Sequence, residues 1–94
     1  MTRGEIRTRL KALPGWSPFG QTIHKKFAFN SFLEAIEFVN RVAAFAEQAG
    51  HHPQITVNYN MVTLRVSTQD GNGLTPRDFD FARELDRLEA AHPD

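Results

Sequence analysis

Residues 50–60 read GHHPQITVNYN, with His51 and His52 side by side between Gly50 and Pro53. The chain has four histidines in all, so half of them fall at one point. Imidazole is the side chain whose ordinary pKa lets it give or take a proton near neutral pH. Consecutive side chains in an extended segment diverge, and Pro53 biases His52 toward extended backbone. The two rings can therefore address different atoms of one ligand. The plainer reading is a polar turn after a helix, with one imidazole capping its last carbonyls. Two carboxylates give the pair company. Glu47, four residues before His51, lies on the shoulder of a predicted helix beside Ile36, Asn40 and Ala43. A half-buried carboxylate there can orient an imidazole or bond a ligand; otherwise it reaches water past the helix edge. Asp78 falls in the first turn of another predicted helix, in line with Phe81, Ala82 and Leu85. It caps free amides or lines a pocket, and the two roles are compatible.

Metal binding is the weaker use of these groups. Glu47 and His51 share a helical spacing, but Gly50 ends the helix before His51, no HExxH run is present, and His24 and His92 lie in distant segments. The DGNG stretch at 70–73 lacks the spaced oxygen ligands of a calcium loop and the lysine of a phosphate-binding loop. No cysteine is present, which excludes disulfides, thiol catalysis and sulfur-ligated zinc.

The elements that must position these residues follow from periodicity and punctuation. Residues 2–12 fit a short helix with Ile6 and Leu10 on one side, broken by the Leu-Pro-Gly-Trp run at 13–16. Residues 22–29 alternate, with Ile23, Lys25, Phe27 and Phe29 on one face, and a partner strand fits around 16–20. The clearest helix spans 30–50, opened by a capping box of Ser31 and Glu34 and stopped by Gly50. Its predicted apolar stripe is Phe32, Ala35, Ile36, Val39, Val42, Ala43 and Ala46, widened by Phe38 and Phe45, with Glu37 and Arg41 in register for an ion pair. Residues 54–60 and 62–69 alternate as two strands. One predicted face joins Ile55, Val57 and Tyr59, another Val62, Leu64, Val66 and Thr68, and residues 60–61 form the connection. Thr75 and Pro76 open a last helix running to about residue 91, from whose core stripe Phe79 departs as a candidate interface residue. The expectation is an α+β domain of order α-β-β-α-β-β-α, a four-stranded antiparallel sheet with three helices on one face, occupying residues 1–94 as a single domain. Its exposed edge strands favour oligomerisation.

Bulk composition narrows the partners. Eleven basic and eleven acidic side chains give a formal net charge of zero, without the basic excess of domains that hold nucleic acid by its phosphates. No apolar run is long enough to span a bilayer, and the first residues lack the apolar block of a secretion signal. A cytoplasmic protein with no membrane partner and no direct nucleic-acid binding is expected.

Taken together, AEQAGHHP, the following Tyr and GLTPRD resemble the pterin-4a-carbinolamine dehydratases, also called 4a-hydroxytetrahydrobiopterin dehydratases. That family's pattern is an acidic residue, three residues, His-His-Pro, an aromatic after five more, a histidine after nine more, and a later aspartate. Glu47, His51, His52, Pro53, Tyr59 and Asp78 fall on it, and the upstream GW, FAF and AIEFVNRVAAFAE extend the likeness over nearly the whole chain. One position departs, because Gln69 stands where the family has its third histidine.

The resemblance implies elimination of water from 4a-hydroxytetrahydrobiopterin, giving quinonoid dihydropterin by acid–base catalysis and needing no cofactor or metal. His51 and His52 would share the acid and base roles, with Glu47, Pro53, Tyr59, Gln69 and Asp78 binding substrate. If the missing imidazole transfers protons, its loss costs about 10²–10⁴ in rate. If it makes one hydrogen bond to the pterin, a glutamine amide imitates it for about 1–2 kcal/mol. Activity retained at a reduced rate is expected. The resemblance also implies a homodimer or homotetramer. It leaves a noncatalytic alternative, since some look-alikes act as transcription cofactors or as assembly chaperones for Rubisco.

Overall fold

The computed structural model describes residues 2–67 and 73–90. Helix α1 (Arg3–Leu10) leads into strand β1 (Ser17–Phe19) and strand β2 (Thr22–Ala28). Helix α2 (Phe32–Ala49), strands β3 (Gln54–Asn58) and β4 (Met61–Val66) and helix α3 (Pro76–Ala90) complete the expected order. All pairings are antiparallel and the strands lie in the order β1-β2-β4-β3. Ile23 faces Val66, Lys25 faces Leu64 and Phe27 faces Val62 across the β2–β4 ladder. One side of the sheet thus presents Ile23, Phe27, Val62, Leu64 and Val66, all buried, to the helices. Thr68 and Gln69 lie outside the described residues.

Local chemistry sets the helix ends. In α1, the Thr2 hydroxyl accepts from the Glu5 amide and the Glu5 carboxylate accepts from the Thr2 amide, each at 3.1 Å. That reciprocal box holds together a helix with no buried residue of its own. Ser31 opens α2 by accepting from the Glu34 amide at 3.1 Å. Gly50 closes it in the left-handed region (φ 65°, ψ 30°), which a glycine enters without the steric penalty of a Cβ.

The apolar stripe of α2 departs from the predicted one. Ala35, Phe38, Val42 and Ala46 are buried, whereas Phe32 is 47% exposed and Ala43 is also exposed. Two layers cover this helix, and its aromatic rings decide the rotation. Phe38 meets Phe27 at 4.9 Å and Phe29 at 5.1 Å, while Phe45 stacks on Phe81 of α3 at 5.2 Å. Rings of that size contribute more contact area than Ile36 or Ala43 would in the same place. The predicted Glu37–Arg41 pair is absent among the described residues. Arg41 instead lies over the Phe38 ring, 5.9 Å from its centroid, with Nε and Nη2 buried and without hydrogen-bond partners.

Two further expectations are corrected. The β3–β4 connection is Tyr59–Asn60, one residue earlier than predicted, because Asn58 pairs with Met61. Tyr59 takes φ 54° in that turn and is 66% exposed, so it leaves the face of Ile55 and Val57. Asn60 fixes the turn by donating its side-chain amide to the Phe29 carbonyl at 2.8 Å and accepting the Phe29 amide at 2.9 Å. Phe79 is not an exposed interface residue. It is 2% exposed, and the Arg9 guanidinium of α1 sits 5.9 Å from its ring. A single-stripe reading of α3 counted only positions within that helix, and the contact with Arg9 lies outside it. On the same helix, Asp86 accepts from Trp16 Nε1 at 3.1 Å and from Lys25 Nζ at 2.8 Å, tying α3 to β2 and the segment before β1.

Candidate active site

The end of α2 aims both histidines. The His51 amide donates to the Ala46 carbonyl at 3.2 Å and the Gly50 amide to the Glu47 carbonyl at 3.4 Å. These two bonds form the Schellman pattern that a left-handed glycine permits. The chain turns back at His51, whose side chain goes inward, and leaves at His52 toward the surface. Pro53 then starts the run into β3.

His51 is 5% exposed and Asp78 fully buried. His51 Nε2 lies 2.8 Å from Asp78 Oδ1. The other carboxylate oxygen of Asp78 accepts from the Thr75 amide at 2.9 Å. Of the two jobs considered from the sequence, the structure shows the capping one, half of a helix-start box, and adds the partnership with His51. The edge of the Phe81 ring meets the imidazole at 4.6 Å and 82°. A neutral His51 donates its Nε2–H to the carboxylate, which assigns Nδ1 as its basic nitrogen.

His52 lives in a different medium. Its Nε2 lies 3.1 Å from Glu47 Oε1, with 49% of the histidine side chain and 78% of the glutamate side chain exposed. Of the two readings of Glu47, half-buried or reaching water past the helix edge, the solvated one holds, and the imidazole it meets is His52. Gly50 ends the helix before His51, so that residue leaves the face that carries Glu47. The two rings differ in access, His51 covered and His52 open.

The structure thus brings Glu47, His51, His52, Pro53 and Asp78 to one end of the α2–α3 pair. It does not bring Tyr59 there, because that residue sits at the far end of β3, roughly 17 Å of strand away. Gln69 lies outside the described residues. Two neighbours of the site escaped the sequence reading: Phe81, taken only as core, and Arg77, whose Nη2 donates to the Ala49 carbonyl at 3.0 Å. A periodic core position gave the only hint of the first, and the second stood in the GLTPRD segment with no role attached to it. Among the described residues no group of three or more His, Asp or Glu side chains could hold a metal ion, and no helix is long and apolar enough to cross a membrane.

Known proteins share this arrangement of elements. The family model described as pterin 4 alpha carbinolamine dehydratase matches residues 1–88. A protein of Picosynechococcus sp., provisionally named pterin-4-alpha-carbinolamine dehydratase, is 44% identical over 94% of this chain and 96% of its own. One of Koribacter versatilis with the same provisional name is 45% identical over 99% and 96%. Among solved structures, a transcriptional coactivator/pterin dehydratase from Brucella melitensis superposes with a TM-score of 0.86 at 32% identity, covering 94% of this chain and 96% of that one. A pterin dehydratase-like protein identified as a RuBisCO assembly factor in the alpha-carboxysome superposes at 0.70 with 28% identity, covering 81% and 90%. With its fold, its His-His-Pro turn and these matches in agreement, the chain belongs to the pterin 4 alpha carbinolamine dehydratase family.

Proposed function

We propose that this protein is a 4a-hydroxytetrahydrobiopterin dehydratase working by histidine acid–base catalysis. The reaction needs a proton delivered to the C4a hydroxyl as it leaves as water and a proton taken from N5, giving quinonoid dihydropterin. Both transfers lie within the range of imidazole near neutral pH. One observation carries the reading: two consecutive imidazoles, each with a carboxylate on Nε2 at 2.8 and 3.1 Å. A carboxylate on one ring nitrogen orients the ring and fixes its tautomer. His52, in contact with water, is the group that reloads its proton from solvent between turnovers. His51 works from a fixed orientation set by Asp78. Pro53 and Gln69 are assigned to the pterin pocket by their place in the motif. Tyr59 enters that assignment on the motif alone, since its position in the chain does not support it. The protein acts in the cytoplasm as a homo-oligomer, a proposal that rests on family likeness and on exposed Phe19, Leu33 and Tyr59.

A second reading has a specific observation behind it. Gln69 stands in place of the motif's third histidine, and a structural relative is identified as a RuBisCO assembly factor. On that reading the fold persists as a binding module without turnover. Stopped-flow dehydration of chemically prepared carbinolamine separates the two. The dehydratase reading predicts acceleration over buffer by the wild-type protein, with a further gain in Gln69→His. No acceleration by the wild type, but turnover in Gln69→His, would show that the natural protein has left catalysis.

A further inference from the structure

We infer that Arg77 is a positioning residue for the site, a group that sets the geometry of the histidine pair without touching substrate. The role in turnover rests on the dehydratase reading above, whereas the positioning itself does not. Four carbonyls at the end of a helix lack intrahelical partners. In α2 the Schellman amides of Gly50 and His51 serve those of Glu47 and Ala46. The Ala49 carbonyl, next to the turn, is served by the Arg77 guanidinium at 3.0 Å. Arg77 and Asp78 are consecutive in the first turn of α3, and each reaches one end of the Ala49–His51 turn. One holds the carbonyl of Ala49 and the other the imidazole of His51, with the left-handed Gly50 between them.

This two-point grip has a mechanical consequence. Asp78 fixes the His51 ring, and the peptide from Ala49 to Gly50 is held on its amide side by the Glu47 carbonyl at 3.4 Å, which leaves its carbonyl side to Arg77. With Arg77 in place, that peptide is tied to the same rigid helix turn that holds the ring. The direction in which the chain leaves toward His52 is then set. His52 must still meet Glu47, one turn back on α2, across a half-exposed 3.1 Å contact. Small displacements of a catalytic group have large effects on rate, so the exposed histidine is the one that profits from a fixed exit. A guanidinium suits the task because it is permanently charged and presents several N–H donors in a rigid plane. It sits at the C-terminal end of α2, where the helix dipole favours a cation.

Arg77→Gln and Arg77→Lys test the assignment with two readouts. The first, amide hydrogen exchange at Gly50 and His51, is independent of activity. Arg77→Gln is expected to exchange about tenfold faster there, and Arg77→Lys, which keeps a cationic donor, to stay within about threefold of wild type. The second is steady-state dehydration, where Arg77→Gln should lose about tenfold in kcat with KM nearly unchanged, again restored by lysine. Unchanged exchange in Arg77→Gln overturns the positioning role, whatever the kinetics. Faster exchange with wild-type kcat overturns its relevance to turnover. If the wild-type protein does not accelerate dehydration at all, the dehydratase reading fails, and the exchange measurement alone decides whether Arg77 holds the turn.

Discussion

His51–Asp78 and His52–Glu47 are the same pair of chemical groups in two media. Both join an imidazole Nε2 to a carboxylate oxygen, at 2.8 and 3.1 Å. In the first, 6% of the histidine side chain and none of the aspartate is exposed; in the second, 49% and 78% are. Adjacent residues reach these opposite settings because one turn, closed by Gly50, sends His51 under α3 and His52 away from it. The difference separates two tasks. A buried hydrogen-bonded pair supports the fold and keeps one orientation, because breaking it strands a polar group away from water. An exposed pair adds little stability but exchanges protons and solvent freely.

The largest expected effect comes from breaking the buried pair. Asp78→Ala removes the partner of His51 and an acceptor of the Thr75 amide together, and should destabilise the protein by about 2–4 kcal/mol. Chemical denaturation checks this; a loss below about 1 kcal/mol would mean the two pairs are not energetically distinct. The matching change at the open pair, Glu47→Gln, should cost less than about 1 kcal/mol. Its effect should shrink further in high salt, which screens exposed charges. Denaturation at two ionic strengths measures both. A cost as large as that of Asp78→Ala would erase the contrast.

The smallest effect belongs to a carboxylate with no histidine at all. Glu5, fully exposed at the start of α1, has its pKa lowered from 4.5, chiefly by the hydrogen bond from the Thr2 amide. A lowered folded-state pKa favours the folded helix above the unfolded value and ceases to do so as pH falls through the lowered one. Hydrogen exchange in α1 should therefore be constant from neutral pH down to about that range and rise below it, once intrinsic rates are corrected. Glu5→Gln should flatten the profile. A rise centred above the ordinary carboxylate range would contradict the assignment.

Much of the fold was legible in the residues because its signals are local. Ser31 and Gly50 bracket α2, Pro76 opens α3, and the alternation of Val62, Leu64 and Val66 marks a strand with one buried face. What stayed hidden depends on packing between elements. The rotation of α2 is set by where Phe38 and Phe45 find other rings, and Phe79 meets the Arg9 guanidinium of α1, a contact that no spacing within α3 shows. In the site, the His-His-Pro turn and both carboxylates could be named from sequence. Which carboxylate meets which ring could not, because Gly50 ends the helical spacing before His51 and the exit from that turn is set by contacts with α3. The bond from Arg77 to Ala49 joins a side chain to a backbone carbonyl across two helices, and no sequence spacing announces it.

The division between a ring that supports the fold and a ring that meets the solvent is tested most directly on His52→Ala, with dehydration rate and unfolding free energy measured on the same preparation. The expected result is a rate lower by about 10²–10⁴ with stability within about 1 kcal/mol of wild type. Carbinolamine dehydrated at the wild-type rate, or a variant that loses its fold along with its activity, would contradict the account.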